Sequence, residues 1–221
     1  MRIARLLLVL ALAMVPAFAG TLFFEDFEGD DVVNIQSQTS GVLVGTQFRI
    51  VSGSVDVITP IDSYTVMCSA PLSGNCIDTV GGGRQGLGVI ESIDPIDFAP
   101  GDYVISFDLI GWFYSTSQLS QTATVEASIG SLWSDTYVRV GSNNPYPTVT
   151  AYFTVDSATS ERIRFTTLAG SGFAGAILDN VKITTVGEGD EETVPEPGTF
   201  ALFGSALVGL GLLRRFKQTR N

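Results

Sequence analysis

The sequence contains no histidine among its 221 residues. Histidine is the most frequent general base in catalysis and the most frequent ligand of transition metals. Its absence excludes a Ser-His-Asp or Cys-His mechanism and a histidine-ligated zinc or copper site. Hydrolysis by two carboxylates stays open, but no pair of acids is singled out by its sequence context. We therefore predict that the protein is not an enzyme, with a secreted glycan hydrolase as the alternative.

Basic residues are rare between the two ends of the chain. All 23 acids lie between Glu25 and Glu196, and only six of the 12 bases lie in the same stretch, which therefore carries 17 excess negative charges. Because this stretch would repel a phosphate backbone, we predict no nucleic-acid partner. An acidic surface of this kind suits solubility, metal cations or cationic partners.

Long helical periodicity is also lacking from Thr21 to Val186. This stretch has short runs rich in Val, Ile, Thr, Tyr and Phe, broken by Gly, Ser, Asp and Pro. Apolar and polar residues alternate most clearly in Tyr103–Leu109, as is typical of a half-buried strand. Many short strands at this spacing predict an all-β domain, a jelly-roll β-sandwich. The predicted strands are Leu22–Phe27, Gly41–Val44, Phe48–Val51, Ser54–Ile58, Gly88–Ser92, Asp102–Leu109, Ala123–Ile129, Thr136–Val140, Pro147–Val155, Arg162–Leu168 and Ala176–Thr184.

Only two cysteines are present, Cys68 and Cys76, and they lie eight positions apart in a loop-like stretch. In an exported protein such a pair predicts a local disulfide, and two free thiols are the alternative. Because the loop is short, the bond should contribute about 2–3 kcal/mol to stability.

The first 19 residues have the pattern of a secretory signal peptide. Arg2 and Arg5 precede an apolar run, and residues 17–19 form an Ala-x-Ala cleavage site. The pattern predicts cleavage by signal peptidase between Ala19 and Gly20. The apolar run is too short to span a bilayer comfortably, which disfavours the alternative of an uncleaved anchor.

The other end of the chain has three features in order. Pro195-Glu196-Pro197 comes first, a run of 16 uncharged and mostly apolar residues follows, and Arg214 and Arg215 begin a basic cluster. An apolar run that ends in basic residues predicts a single C-terminal transmembrane helix whose basic end is cytoplasmic. The run is slightly shorter than the roughly 20 residues of a full span.

This order resembles the PEP-CTERM sorting signal of bacterial exported proteins, over Val194 to about Arg215. The resemblance implies a transient stay in the inner membrane and processing near the Pro-Glu-Pro motif by an exosortase, a membrane-embedded transpeptidase. It also implies delivery to the cell surface or extracellular matrix, where such systems accompany exopolysaccharide production and biofilm growth. A plain C-terminal anchor is the alternative.

These patterns divide the chain into parts. Residues 1–19 are the predicted signal peptide, and residues 20–186 are the β-sandwich domain. Residues 187–193 form an acidic linker without apolar residues, which we expect to be flexible and disordered. Residues 194–217 hold the sorting signal, and residues 218–221 are a short tail.

Several blocks of the domain resemble the galactose-binding-like jelly rolls of carbohydrate-binding modules and of exported PEP-tailed proteins. Asp26–Gly29 is similar to their opening segment, Val51–Ile58 to a second block, Phe98–Leu109 to a third, and Gly175–Ile183 to the closing strand. The resemblance implies a non-catalytic domain that binds polysaccharide. A purely structural or adhesive biofilm protein, stabilised by calcium, is the alternative.

The same resemblance implies a structural calcium ion between the opening and closing segments. Carried over to this chain, its ligands are Glu28 and Asp179, with Asp26 and Asn180 nearby. Carboxylate and carbonyl oxygens are the ligands that calcium prefers. An ordinary solvated acidic turn is the alternative.

Four aromatic residues are candidates for contact with a sugar: Trp112, Tyr114, Trp133 and Tyr146. Such contact needs exposed flat side chains beside polar groups. Tyr146 is the best surface candidate because a proline precedes and follows it, whereas the tryptophans of a sandwich are often core residues.

Overall fold

The computed structural model describes residues 20–29, 38–58, 68, 74–82, 86–111, 121–140, 148–170 and 174–187. All regular structure in these residues is β-strand, and the strands belong to one compact unit that ends at Val186. The all-β prediction is therefore confirmed. The predicted signal peptide, the sorting signal and all but the first residue of the linker lie outside the described residues. No helix in the described ranges is long and apolar enough to cross a membrane.

The strands are numbered in chain order. They are β1 Thr21–Glu25, β2 Gln38–Thr39, β3 Leu43–Val44, β4 Phe48–Ser52, β5 Ser54–Ile58, β6 Cys76–Asp78, β7 Val89–Ser92, β8 Ile96–Phe98, β9 Gly101–Gly111, β10 Thr122–Ile129, β11 Trp133–Val140, β12 Thr148–Val155, β13 Thr159–Glu161, β14 Ile163–Ala169 and β15 Ala176–Thr185.

Two antiparallel sheets contain most of these strands. One has seven strands in the order β12-β9-β15-β6-β5-β2, with β1 also paired to β15. The other has six strands in the order β11-β10-β14-β7-β4-β3, and β8 and β13 form a separate two-stranded ribbon. Neighbours in both sheets are mostly distant in the chain, as in a jelly-roll-like sandwich.

The core lies between the two sheets. Phe107 of the seven-stranded sheet meets Phe165 of the six-stranded sheet edge to face, with ring centroids 5.1 Å apart. Phe23 of β1 meets Phe48 of β4 in the same way at 5.6 Å. All four side chains are buried in one hydrophobic cluster. Such aromatic pairs contribute beyond the area that they bury, so they help to hold the sheets face to face.

Every predicted strand overlaps an observed strand, and all except Ser54–Ile58 have shifted ends. The observed β5 has the predicted bounds. The observed β1 ends at Glu25, whereas its predicted end was Phe27. The reason is that Phe27 has a left-handed backbone, with φ of 57°. Four short strands, β2, β6, β8 and β13, were not predicted, because two or three residues are too few to show alternation.

Part of the outer face of the seven-stranded sheet is also buried. Every residue of β5 is buried, which requires cover on both sides of the strand. On the outer side, a second hydrophobic cluster contains Ile58, Cys68, Cys76, Ile110 and Ile177. Cys68 and Cys76 form a disulfide in this cluster, with Cα atoms 5.7 Å apart. The bond therefore attaches Cys68 to the first residue of β6.

Candidate functional site

A polar cleft lies on the outer face of the six-stranded sheet. Its volume is about 430 Å³, and the ribbon residues Ser160 and Glu161 contribute to its lining. The cleft is lined by charged, hydroxyl and small residues: Glu91, Glu126, Glu161, Arg162, Arg164, Ser128, Ser160, Thr166, Pro95 and Gly130.

Strand register places these side chains in rows across the sheet. Arg49 of β4 is opposite Glu91 of β7, which is opposite Arg164 of β14, which is opposite Ser128 of β10. Residues directly opposite on antiparallel strands present their side chains on the same face. The row therefore lies across four strands that are far apart in the chain. The sequence did not reveal this row, because it depends on which strands pair.

Glu91 is the centre of this row. Its carboxylate accepts hydrogen bonds from Arg49 at 3.0 Å and from Nε of Arg164 at 3.0 Å, and Arg162 Nε lies 3.8 Å away. Burial by itself would raise the pKa of Glu91, but the hydrogen bonds and positive charges of Arg164 and Arg49 outweigh it and lower the pKa. Glu91 is therefore ionised and orients Arg49 and Arg164, whose side chains remain partly exposed.

Glu126 lies in the next row and is opposite Thr166. Its side chain is half-buried, and the structure gives it no hydrogen bond or ion pair. It therefore presents a free acceptor to the cleft, beside arginine donors and the hydroxyl groups of Ser128 and Thr166. Carboxylates only accept hydrogen bonds, guanidinium groups only donate them, and hydroxyls do both. This mixture suits an uncharged ligand that both donates and accepts.

A second polar group forms where β1 ends beside β15. Asp26 Oδ1 accepts a hydrogen bond from the backbone N–H of Glu28 at 3.2 Å, and Glu28 Oε1 accepts one from the N–H of Asn75 at 2.9 Å. Asp179 lies at a bulge in the pairing of β15 with β9 and is 2% exposed. Asp26 and Glu28 are near enough to raise its pKa electrostatically. The structure therefore brings these three predicted residues into one region.

The pKa of Asp179 is raised to about 7. Burial is the main cause, and the negative charges of Asp108, Glu28 and Asp26 add to it. Asn180, the fourth predicted residue, has a left-handed backbone with φ of 51°, and its Nδ2 donates to Asp108 Oδ2 at 2.9 Å. The sequence did not identify Asp108 as part of this group, because its position beside Asp179 depends on the register between β9 and β15.

The donor chemistry of this group fits a hard cation, since it consists of carboxylate oxygens that repel one another. The described residues nevertheless contain no group of three or more Asp, Glu, Cys or His residues gathered closely enough to hold a metal ion. Calcium at Asp26, Glu28, Asp179 and Asn180 therefore stays a prediction.

The aromatic candidates lie elsewhere. Trp133 begins β11 at the edge of the six-stranded sheet, where it is half-buried and packs against the main core. Trp112, Tyr114 and Tyr146 lie outside the described residues. The described cleft lining contains no aromatic residue, so the cleft would recognise a ligand by hydrogen bonding.

Comparison with solved structures supports the fold. A Stig cyclase from Fischerella sp. TAU, solved in complex with (3Z)-3-(1-methyl-2-pyrrolidinylidene)-3H-indole, is similar with a TM-score of 0.53 and 16% identity, over 77% of this chain and 99% of that chain. A second cyclase structure from the same organism has a TM-score of 0.52 and 16% identity, over 77% and 98% of the two chains. At this identity the likeness shows the fold alone.

Carbohydrate-binding modules are also among the similar structures. The CBM22-1 xylan-binding domain of Paenibacillus barcinonensis Xyn10C has a TM-score of 0.41 and 12% identity, over 79% of this chain and 99% of that domain. No curated protein sequence matches the chain.

Residues 193–215 match the family described as the PEP-CTERM protein-sorting motif. This match confirms the resemblance seen at the Pro-Glu-Pro sequence and the segment that follows it. The chain therefore carries the sorting signal of an exported protein that is processed by an exosortase.

Proposed function

We propose that the protein is a non-catalytic component of the cell surface or extracellular matrix whose β-sandwich binds a neutral polysaccharide in the cleft of the six-stranded sheet. The observation that carries the proposal is the mixed lining of that cleft. Glu126 and Glu161 supply acceptors, Arg162 and Arg164 supply donors, and hydroxyl side chains supply both. A sugar ring presents hydroxyl groups of the same dual character.

The charge balance favours an uncharged sugar over an ionic ligand. The cleft lining holds three carboxylates and two guanidinium groups, and Arg49 adjoins it through Glu91. The opposite charges therefore nearly cancel, although the domain as a whole is strongly acidic. Neither an anion nor a cation gains much from such a lining, whereas hydroxyl groups can bond to each member of it.

Replacement of Glu126 by glutamine tests the binding site. The change keeps the size of the side chain but removes the free charged acceptor, and a hydrogen bond to a charged group contributes about 1.5–3 kcal/mol. We expect affinity for the best oligosaccharide from a glycan array to fall at least about tenfold, measured by isothermal titration calorimetry. The matched control is Asp156→Asn, an exposed acid outside the cleft, which should bind normally.

The result also separates the proposal from its alternatives. An array without any binding would contradict polysaccharide recognition and favour a structural or adhesive role. Release of shorter products from a bound glycan, followed by chromatography, would contradict the non-catalytic assignment. Normal binding by the Glu126→Gln variant would place the ligand elsewhere on the domain.

Sorting should depend on the Pro-Glu-Pro motif. Removal of the signal peptide before Gly20 would leave the protein held in the inner membrane by its apolar tail, with the basic end inward. Exosortase processing near Glu196 would then release the acidic domain outward. Replacement of Glu196 by alanine should make precursor accumulate in the membrane fraction, as seen by immunoblotting and intact mass. Normal processing of this variant would contradict the route.

Calcium at the junction of β1 and β15 is a second proposed feature. It is favoured by Asp179, which is buried among the like charges of Asp108, Glu28 and Asp26. A cation held by Asp26, Glu28, Asp179 and Asn180 would offset this repulsion and attach the first strand to the last. The two residues other than glycine with left-handed backbones in the described ranges, Phe27 and Asn180, lie in these segments.

An Asp179→Asn variant tests this calcium ion. Calcium at millimolar concentration should raise the unfolding temperature of the native protein, and part of the increase should be lost in the variant because one ligand charge is removed. Differential scanning calorimetry in EGTA and in calcium measures both values. An equal increase in the native and variant proteins would contradict the assignment.

A further inference from the structure

Asp56 and Asp78 are directly opposite each other on β5 and β6. Their neighbours Val57 and Ile77 belong to the core, so the two aspartates lie on the outer face of the seven-stranded sheet. Asp56 is 7% exposed and Asp78 is 2% exposed. Two acids are thus buried side by side on adjacent strands.

The hydrogen bonds of this pair leave one oxygen without a partner. Asp78 Oδ1 accepts from the backbone N–H groups of Val80 at 3.0 Å and Gly175 at 2.8 Å. Asp56 Oδ2 accepts from the N–H of Gly82 at 2.9 Å. Asp56 Oδ1 is buried and has no hydrogen-bond partner. A buried carboxylate oxygen in this state is unfavourable and indicates that a water or an ion belongs there.

Glycine backbone packs closely against both carboxylates. A Cβ at Gly175 would lie 2.8 Å from Asp78 Oδ1, and a Cβ at Gly81 would lie 3.2 Å from the unpartnered Asp56 Oδ1. The Oγ of Ser54 would be 2.7 Å from the same Gly81 Cβ, so another oxygen lies on this side. A larger residue at either position would therefore crowd a carboxylate oxygen.

Among the described residues, no basic side chain forms an ion pair with Asp56 or Asp78. Every salt bridge found among the described residues involves Glu91, on the other sheet. Burial is the main reason that the pKa of Asp56 is raised, and burial together with the charge of Asp56 raises the pKa of Asp78. No positive charge of the described residues contributes to the pKa of either aspartate.

We propose that Asp56 and Asp78 bind a hard divalent cation, calcium in the medium outside the cell, through both carboxylates. Two carboxylates and nearby hydroxyl and carbonyl oxygens supply hard ligands, and water can complete the six to eight positions that calcium takes. The ion fixes the segment after β6 and the segment before β15 to the sheet, since both segments already donate to the same carboxylates. This pair shares no residue with the site proposed at Asp179.

Asp56→Asn tests the site in the mature protein after dialysis against EGTA. Titration with calcium chloride in a calorimeter should show that the variant loses one binding event, with affinity reduced at least about 100-fold. In EGTA at pH 8 the variant should unfold at a higher temperature than the native protein, because an unpartnered buried charge has been removed. In the presence of calcium, the native protein should unfold at a higher temperature than the variant. An aspartate with a merely structural role would not produce the reversal.

Three further variants make the outcome specific. Asp78→Asn should lose the same binding event, whereas Asp179→Asn should keep it and lose only the event at the β1–β15 junction. The exposed control Asp156→Asn should keep every event. Unchanged calcium binding by Asp56→Asn, or a lower unfolding temperature than the native protein in EGTA, would overturn the inference whatever the result for Asp179.

Discussion

Replacement of Glu25 by alanine should lower the free energy of unfolding by about 3–5 kcal/mol, the largest effect that we expect from a single polar residue. Glu25 is 2% exposed. Its Oε1 accepts from the N–H of Phe27 at 2.7 Å, and its Oε2 accepts from the N–H groups of Thr46 and Gln47 at 2.7 and 2.6 Å. The Thr46 hydroxyl donates to Oε2 as well.

The size of the effect follows from what the alanine would leave behind. The backbone N–H groups of Phe27, Thr46 and Gln47 would lose their acceptor in a place that a small side chain cannot fill. Glu25 also joins the end of β1, in the seven-stranded sheet, to the turn before β4 in the six-stranded sheet. The variant therefore loses a polar link between the two sheets.

Urea denaturation followed by tryptophan fluorescence measures this change. Glu25→Gln should recover part of the loss, because an amide oxygen can accept some of the same hydrogen bonds without charge. The control Asp156→Ala removes an exposed acid and should change stability by less than about 0.5 kcal/mol. A Glu25→Ala variant as stable as this control would contradict the role given to Glu25.

Without divalent cations, the domain should be more stable at pH 5 than at pH 8. The pKa of Asp179 is raised from 3.8 to about 7, and burial also raises the pKa of Asp56 and Asp78. A carboxyl whose pKa is higher in the folded state contributes stability that is fully present below its unfolded pKa. That contribution is lost as the pH rises through the folded value. For Asp179 the loss falls between about pH 4 and pH 7.

The contribution of Glu91 to stability depends on pH in the opposite direction, and it changes at lower pH. Its pKa is lowered from 4.5, so its contribution is present above that value and is lost as the pH falls through the folded pKa. The interval from pH 5 to pH 8 therefore isolates the buried aspartates. The expected loss over this interval is about 2–3 kcal/mol, or roughly 5–10 °C in unfolding temperature for a domain of this size.

Thermal unfolding by circular dichroism in EGTA gives this profile. In the Asp179→Asn variant the slope between pH 5 and pH 7 should become smaller, since the group that titrates there is absent. Asp156→Asn should keep the slope of the native protein. Stability that increases from pH 5 to pH 8 in the native protein would show that these aspartates are not buried in the way described.

The sequence alone determined that the domain is all-β and that the chain carries a sorting signal. Alternation in Tyr103–Leu109 and the absence of long helical periodicity predicted strands, because each strand must present apolar side chains to one face. The Pro-Glu-Pro sequence, apolar run and basic cluster predicted the sorting signal, since these features are contiguous in the chain. Local patterns of this kind need no knowledge of which strands pair.

The tertiary structure alone decided which polar residues meet. Arg49, Glu91 and Arg164 form one row only because β4, β7 and β14 are neighbours in that order and register. In the same way, β9–β15 pairing brings Asp108 to Asp179, and β5–β6 pairing brings Asp56 to Asp78. A shift of one residue in any of these pairings would turn the side chains to the opposite face. Strand register therefore determined which residues line the cleft and which form the two acidic groups. Register in turn depends on contacts between residues that are far apart in the chain.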